Sequence, residues 1–378
     1  MPYRYETPRR SIYDRLSERR IAAEMLAAAS APRSEFVVGH AEIIDAWVWL
    51  PSGFYRNVLS WKALAAHAAP MQQSAQLKGA EGQRRRFCRI ATAPGEVADF
   101  TALGRATQLL KAFVNGQGFT ARSQWSQTQV VLFAPADVDP DTWREAVMAE
   151  WPGDAAAQSY EVASGTIDNW FRDRLADACG AEYLVCLSVD SAVTSAGALA
   201  SDAEEVLGEC VAALSLRRVC KSAQPANRAA DARPVQPDLA PAEEGEPVCR
   251  LYLAPTIDHP PRSRQPRKHT GDLERLIQQL CEQSETQLEQ CAGMVSDGLF
   301  IGNRLTQLIA LSRTTFQAWE LLEHVVSTSA LAGRVGHSGT VLSQICLAHL
   351  LAVNSQPDAI LVLDRYADDR SSAWLVKR

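Results

Sequence analysis

Short, nearly continuous apolar runs alternate along this chain with longer stretches where apolar residues recur every three or four positions. The first run, 42–50 (EIIDAWVWL), is closed by Pro51-Ser52-Gly53. It predicts a strand that ends in a turn. Residues 66–97 show neither period and predict irregular chain, in which the run Arg84-Arg85-Arg86 reads as a solvated loop. Alternation then sets in. A helix is predicted over 98–114, a strand over 129–134, and a helix over 140–151 opened by Asp139-Pro140-Asp141, where proline suits the first turn. A strand near 158–163, a helix over 166–179 and a strand over 182–189 follow. Runs such as EYLVCLSV suit strands buried on both faces, which implies a sheet covered by helices.

The pattern breaks at 221–247, a stretch rich in Pro and Ala and poor in large apolar residues, which predicts a flexible linker or surface loop. Alternation resumes beyond it: strand 248–254, helix 272–285, a short strand 293–296, helices over 302–324 and 339–353, and strands 359–364 and 372–377. A second basic, Pro-rich loop runs from 259 to 269 (HPPRSRQPRKH). The organisation read from this is a charged, Ala-rich helical extension over 1–35, an α/β half over 36–220, the linker, and an α/β half over 248–378. Strands alternating with helices imply largely parallel sheets.

Composition narrows the class. The chain has 378 residues, 47% of them hydrophobic and 22% charged, enough to bury a large core. A net charge of -6 argues against general affinity for nucleic acid. The N-terminal segment is basic without an apolar stretch, so it does not read as a signal peptide, and the longest apolar runs are too interrupted to span a bilayer. Nine cysteines are scattered without a CxxC pair or zinc-type spacing. They read as reduced thiols, mostly small core residues, in a cytoplasmic protein. No P-loop, HExxH, GxSxG or strand-bound GxGxxG occurs, so neither a cofactor nor a metal is expected.

The most informative stretch is 332–340 (AGRVGHSGT), followed by an apolar helix and the strand AILVLD. Its glycines permit close backbone approach, and a helix N-terminus offers unpaired N–H groups to an anion. The dipole end beside His337 also favours a neutral imidazole. This segment resembles the late Gly-His segment of β-ketoacyl synthases. Residues 180–191 (GAEYLVCLSVDS) are similar to the segment after that family's nucleophile helix, with Leu187 and Ser188 where paired glycines would stand. Residues 244–255 (EGEPVCRLYLAP) resemble the strand that opens its second half. The resemblance spans roughly 98–378. It implies a thiolase-like layered α/β/α/β/α fold with two halves related by a pseudo-twofold.

The departures bear on function. The stretch corresponding to the family's nucleophilic cysteine is Tyr160-Glu-Val-Ala-Ser-Gly165, which has no cysteine, and 295–302 (VSDGLFIG) lacks the family's other histidine. Ser164 is the one hydroxyl placed to attack, and it would need His337 within reach as its base. His349 reads as a packing residue or one facing a partner. His324 lies near a helix end, and Asp190, Asp297, Asp364 and Asp368 read as capping or turn-forming residues at strand ends.

Three functions follow from the resemblance. One is a non-catalytic accessory or adaptor that binds another protein, either an active condensing enzyme, as chain-length factors do, or a type VI secretion cargo. The second is an acyltransferase with a rearranged site built on Ser164 or His337. The third is an ordinary condensing enzyme. The resemblance also implies a homo- or heterodimer joined through sheet edges of the first half, and the loops at 221–247 and 259–269 are the expected partner contacts.

Overall fold

The computed structural model describes residues 40–56, 59–92, 101–116, 125–153, 156–176, 181–201, 204–218, 248–254, 256–258, 268–297, 304–317, 319–353, 359–364 and 370–378. The extension 1–35, the linker 221–247, nearly all of the loop 259–269, and Asp368 lie outside them. In chain order the first half consists of β1 (His40–Leu50), β2 (Gly53–Tyr55), α1 (Trp61–Ala66), β3 (Met71–Lys78), β4 (Arg84–Cys88), α2 (Ala102–Gly116), β5 (Thr128–Phe133), α3 (Pro140–Glu150), β6 (Ser159–Val162), α4 (Ile167–Ala176), β7 (Tyr183–Ser191), α5 (Ser195–Ala200) and β8 (Glu209–Arg218). The second consists of β9 (Cys249–Leu253), β10 (Ile257–Asp258), α6 (Lys268–Gln283), β11 (Cys291–Ser296), α7 (Arg304–Thr314), α8 (Leu321–His324), β12 (Val325–Ser327), α9 (Thr328–Ala332), α10 (His337–Ala352), β13 (Ala359–Asp364) and β14 (Arg370–Lys377).

The main sheet runs β12-β11-β13-β14-β9-β1-β8-β7-β5-β6. From either edge inward, the strands of each half come in the order third, second, fourth, fifth, first. In both halves the first three of these are parallel, and the fifth is antiparallel to its neighbours. The two first strands, β1 and β9, meet antiparallel, Ile43 opposite Cys249 and His40 opposite Tyr252. Equivalent strands that meet antiparallel are related by a local twofold, so the chain is a duplication.

Three large apolar clusters fill the layers. One packs α2 and α3 on the outer face of the first half, around Phe113, Trp143 and Trp47. Another packs α6 and α7 on the outer face of the second, around Leu276 and Leu311. The largest lies between the halves, and α10 runs through it. Every residue of α10 from Gly339 to Ala352 is buried. That explains why HSGTVLSQICLAHLLA has no polar stripe: a helix enclosed on all sides is apolar all round.

Some expectations are corrected. Residues 66–97 are not irregular, because β3 and β4 form an antiparallel pair. The Arg84–Arg86 run lies on β4, where strand alternation turns Arg85 fully inward. The helix expected over 302–324 breaks after Thr314, whose hydroxyl donates to the carbonyls of Ala310 and Leu311, and restarts at Leu321. The central strand β8 falls in 190–220, where no element was expected. No helix among the described residues is long and apolar enough to cross a membrane.

Candidate functional site

In each half, the connection from third to fourth strand carries the helix packed between the halves: α4 after β6 in the first, α10 after β12 in the second. The N-termini of these two equivalent helices converge. His337 is the first residue of α10 and Asp168 the second of α4. His337 Nε2 lies 2.9 Å from Asp364 Oδ2, at the end of β13, and 3.7 Å from Asp168 Oδ2.

The backbone leading to His337 is held on several sides. Arg334 N–H donates to Val206 O, and Gly208 N–H donates to Arg334 O, each at 2.7 Å. Gly333 has φ of +77°, which favours glycine, and a Cβ on Gly208 would come within 2.1 Å of Ala332 O. Gly336 donates its N–H to the carboxyl of Asp190 at the end of β7. A Cβ on Gly336 would lie 2.0 Å from Asp190 Oδ2, and one on Gly339 would lie 2.6 Å from Cys210 Sγ. The two glycines of this turn are thus explained by packing against β7 and β8.

Asp168 is fully buried. Its Oδ1 accepts from the Ser372 hydroxyl of β14 at 3.0 Å, and Phe171, one turn on, meets Trp374 of β14 edge-on at 5.2 Å. The first half's helix is therefore fastened to the second half's last strand at this point. Asp168 Oδ2 is buried and accepts no hydrogen bond.

Electrostatics at the cluster oppose one sequence expectation. Burial pulls the His337 pKa down, but the hydrogen bond to Asp364 and the charges of Asp364, Asp168 and Asp297 outweigh it, and the net shift is upward. The nearby carboxylates thus act on the ring in the opposite sense to the helix dipole, and the shift runs against the one expected from the α10 N-terminus. Burial raises the Asp168 pKa, helped by the Asp364 charge and opposed by His337, Ser372 and Arg172. Burial pushes Asp190 up to about 7, against the N–H groups of Gly336 and Ser191 that it accepts.

Ser164 lies in the turn between β6 and α4, beside Gly165 at φ +78°, and is exposed. The residue that this turn delivers to His337 is Asp168, which the sequence did not single out. Asp190 and Asp364, read as turn formers, instead hold the Gly336–His337 turn and its imidazole. His349 is buried on α10, and burial alone lowers its pKa to about 4, so it is a core residue. Seven cysteines (Cys88, Cys186, Cys210, Cys249, Cys281, Cys291 and Cys346) are buried. Burial raises the thiol pKa of Cys88 to about 11, and those of Cys186, Cys210 and Cys346 further. Such thiols are protonated at neutral pH and poor nucleophiles.

No family model matches the sequence, and no curated protein does. Solved structures do match. The ishigamide ketosynthase/chain length factor is 13% identical with a TM-score of 0.56, covering 90% of this chain and 99% of its own. Acetamide-bound OleA of Xanthomonas campestris is 13% identical with a TM-score of 0.50, covering 90% of this chain and 100% of its own. At this identity the likeness establishes fold alone, and it agrees with the duplicated strand order. The chain has the thiolase-like fold of condensing enzymes.

Proposed function

We propose that this chain is a thiolase-fold protein that binds another protein and does not condense acyl groups. Its partner is an active condensing enzyme, in the manner of a chain-length factor, or a type VI secretion cargo that it helps to load. The observation that carries this reading is the Asp168–His337–Asp364 cluster. Condensation needs a nucleophile at the strand-to-helix turn and a positive field where the enolate or oxyanion forms. Here the turn at 160–165 has no cysteine, and a buried carboxylate follows it. Asp168, Asp297 and Asp364 put negative charge around the one imidazole. Such surroundings repel the anion that the reaction must build. An edge is offered to the partner, since among the described residues β6 ends the sheet and pairs with β5 alone. One neighbour in fold is named as a ketosynthase/chain length factor pair, which is in keeping with a heterodimer.

The test is intact-mass measurement of the purified protein after incubation with acyl-CoA and with acyl-loaded carrier protein, beside co-expression with condensing enzymes and secretion cargo proteins from the same genome. No adduct and a stoichiometric complex are expected. A stable acyl adduct overturns the reading. It would favour the alternative, an acyltransferase with a rearranged site, which is supported by His337 being 21% exposed and oriented by Asp364. In that case Ser164→Ala or His337→Ala abolishes the adduct.

A further inference from the structure

We infer that Asp168, His337 and Asp364 form a three-ligand site for one divalent transition-metal cation, Zn2+ or Mn2+, bridging the two halves of the fold. Three residues on separate elements each offer one ligand atom, and these atoms lie within 4.8 Å of one another. Two atoms each about 2.1 Å from one ion stand at most about 4.2 Å apart. The separations of His337 Nε2 from Asp364 Oδ2 (2.9 Å) and from Asp168 Oδ2 (3.7 Å) both fall inside that limit.

A second observation is independent of this clustering. Asp168 Oδ2 is an orphaned oxygen on a side chain 1% exposed, with no hydrogen-bond donor. Leaving such an atom unpaired is costly, and 3.7 Å is too long for a hydrogen bond from His337. Its sister oxygen is fixed by Ser372, the kind of outer contact that orients a ligating carboxylate. A cation between the three groups satisfies Oδ2 and takes the place of the Nε2 proton that His337 shares with Asp364, which is released to solvent.

Charge and ligand type select the ion. Two ligating carboxylates and the nearby Asp297 outweigh the partial positive charges of the α4 and α10 N-termini. One imidazole nitrogen with two carboxylate oxygens suits Zn2+ or Mn2+ better than Ca2+, which takes oxygen alone, or Cu+, which prefers sulfur. Three protein ligands leave coordination positions for water, and His337, 21% exposed, is the least buried of the three. The inference does not rest on the proposed binding role: a bound cation offsets the negative charge of the cluster, so in the loaded protein the argument against condensation rests on the absence of a cysteine at 160–165, and either reading can fail alone.

The experiment titrates chelator-stripped protein with ZnCl2 and MnCl2 by calorimetry at pH 7.5, and records Co2+ absorption bands as a report on coordination. One ion per chain is expected. At a hundredfold excess over the dissociation constant, the melting temperature should rise by about 4 °C. Asp364→Asn and Asp168→Asn should each weaken binding more than about tenfold, and Ser372→Ala should weaken it roughly tenfold. His324→Gln, which removes a half-buried histidine outside the cluster, controls for adventitious binding. Should Asp168→Asn fail to fold, Asp364→Asn and Ser372→Ala carry the test. No stoichiometric binding, or binding unchanged by Asp364→Asn and Ser372→Ala, overturns the inference.

Discussion

Replacing Gly336 by alanine adds one methyl group to the turn on which His337 is mounted. The backbone there, φ −64° and ψ 165°, is open to any residue, so the substitution strains no dihedral. What it meets is Asp190: the new Cβ would stand 2.0 Å from Oδ2 and 2.9 Å from Cγ. An ordinary contact needs roughly 3.4 Å, so the carboxyl must retreat by more than about 1 Å. Asp190 is buried, and retreat breaks the hydrogen bond from Gly336 N–H. A lost hydrogen bond to a buried group is worth about 1–3 kcal/mol, and overpacking adds about 1–3 kcal/mol. The reduced freedom of the unfolded chain returns up to about 1 kcal/mol. The expected destabilisation is therefore about 3 kcal/mol, read as a lower urea midpoint at unchanged slope. In an Asp190→Ala background the same change should lose most of its effect, because the clashing group is gone. Gly116→Ala, at the end of α2 with nothing within 4 Å, is the control and should be neutral or slightly stabilising. A Gly336→Ala loss below about 1 kcal/mol, or a loss unchanged in the Asp190→Ala background, would refute this account of the turn.

Other outcomes can be checked alongside. Glu209 receives Arg105 at 2.7 and 2.8 Å, Ile90 N–H at 2.8 Å and the Ser191 hydroxyl at 3.0 Å, with both charges buried. Glu209→Gln should cost about 3–5 kcal/mol in urea unfolding because it leaves Arg105 uncompensated, and a loss near zero would contradict that. Asp190, raised from 3.8 to about 7 in the fold, favours folding in its protonated form. Its contribution is whole below pH 4 and is lost as pH rises through 7, by up to roughly 4 kcal/mol. Asp190→Asn should flatten the melting temperature over that range. His349, lowered from 6.5 to about 4, acts in the opposite sense: its contribution is whole above pH 6.5 and is lost as pH falls toward 4, and His349→Leu should flatten that acid limb. Native alkylation with iodoacetamide should add at most two groups, at Cys179 and Cys220, against nine in urea, since seven of the nine cysteines are buried. More than two adducts in the folded protein would show that the core thiols open.

Much of the architecture was legible because its strands carry their own signal. EYLVCLSV and AILVLD are apolar on both faces, and these runs became β7 and β13, enclosed by helices. What escaped had weaker local signals. In β4 the inward residues include Arg85, so period-two alternation is hidden behind three arginines. In β8, ECVAALSLRR is built of small residues that suit close packing against α10 more than they announce a strand. His337 was found because its Gly-His turn resembles a known segment. Asp168 was missed because its partners are 169 and 196 positions away in the chain, and no linear spacing brings 168, 337 and 364 together. The only local sign was an acid in the first turn of a helix, which is common and uninformative. Asp190 and Asp364 were given their most frequent role at strand ends, and only the convergence of β7, β13 and α10 shows what they hold.

The duplication accounts for where the charged cluster lies. Equivalent helices of two halves related by a twofold must start close together if both pack in the layer between the halves, as α4 and α10 do. Each half thus presents a helix N-terminus, with its unpaired N–H groups, to the same small volume. Two positive dipole ends facing one another are unfavourable unless negative charge lies between them. Asp168 from one half and Asp364 from the other provide it, and His337 pairs with both. The arrangement makes the cluster a joint of the two halves as much as a site, because Asp168 is also tied to Ser372 of the opposite half. Removing one carboxylate leaves both an imidazole with one partner fewer and two helix ends less well compensated. The chemistry of the site and the docking of the halves therefore cannot be altered separately at these residues.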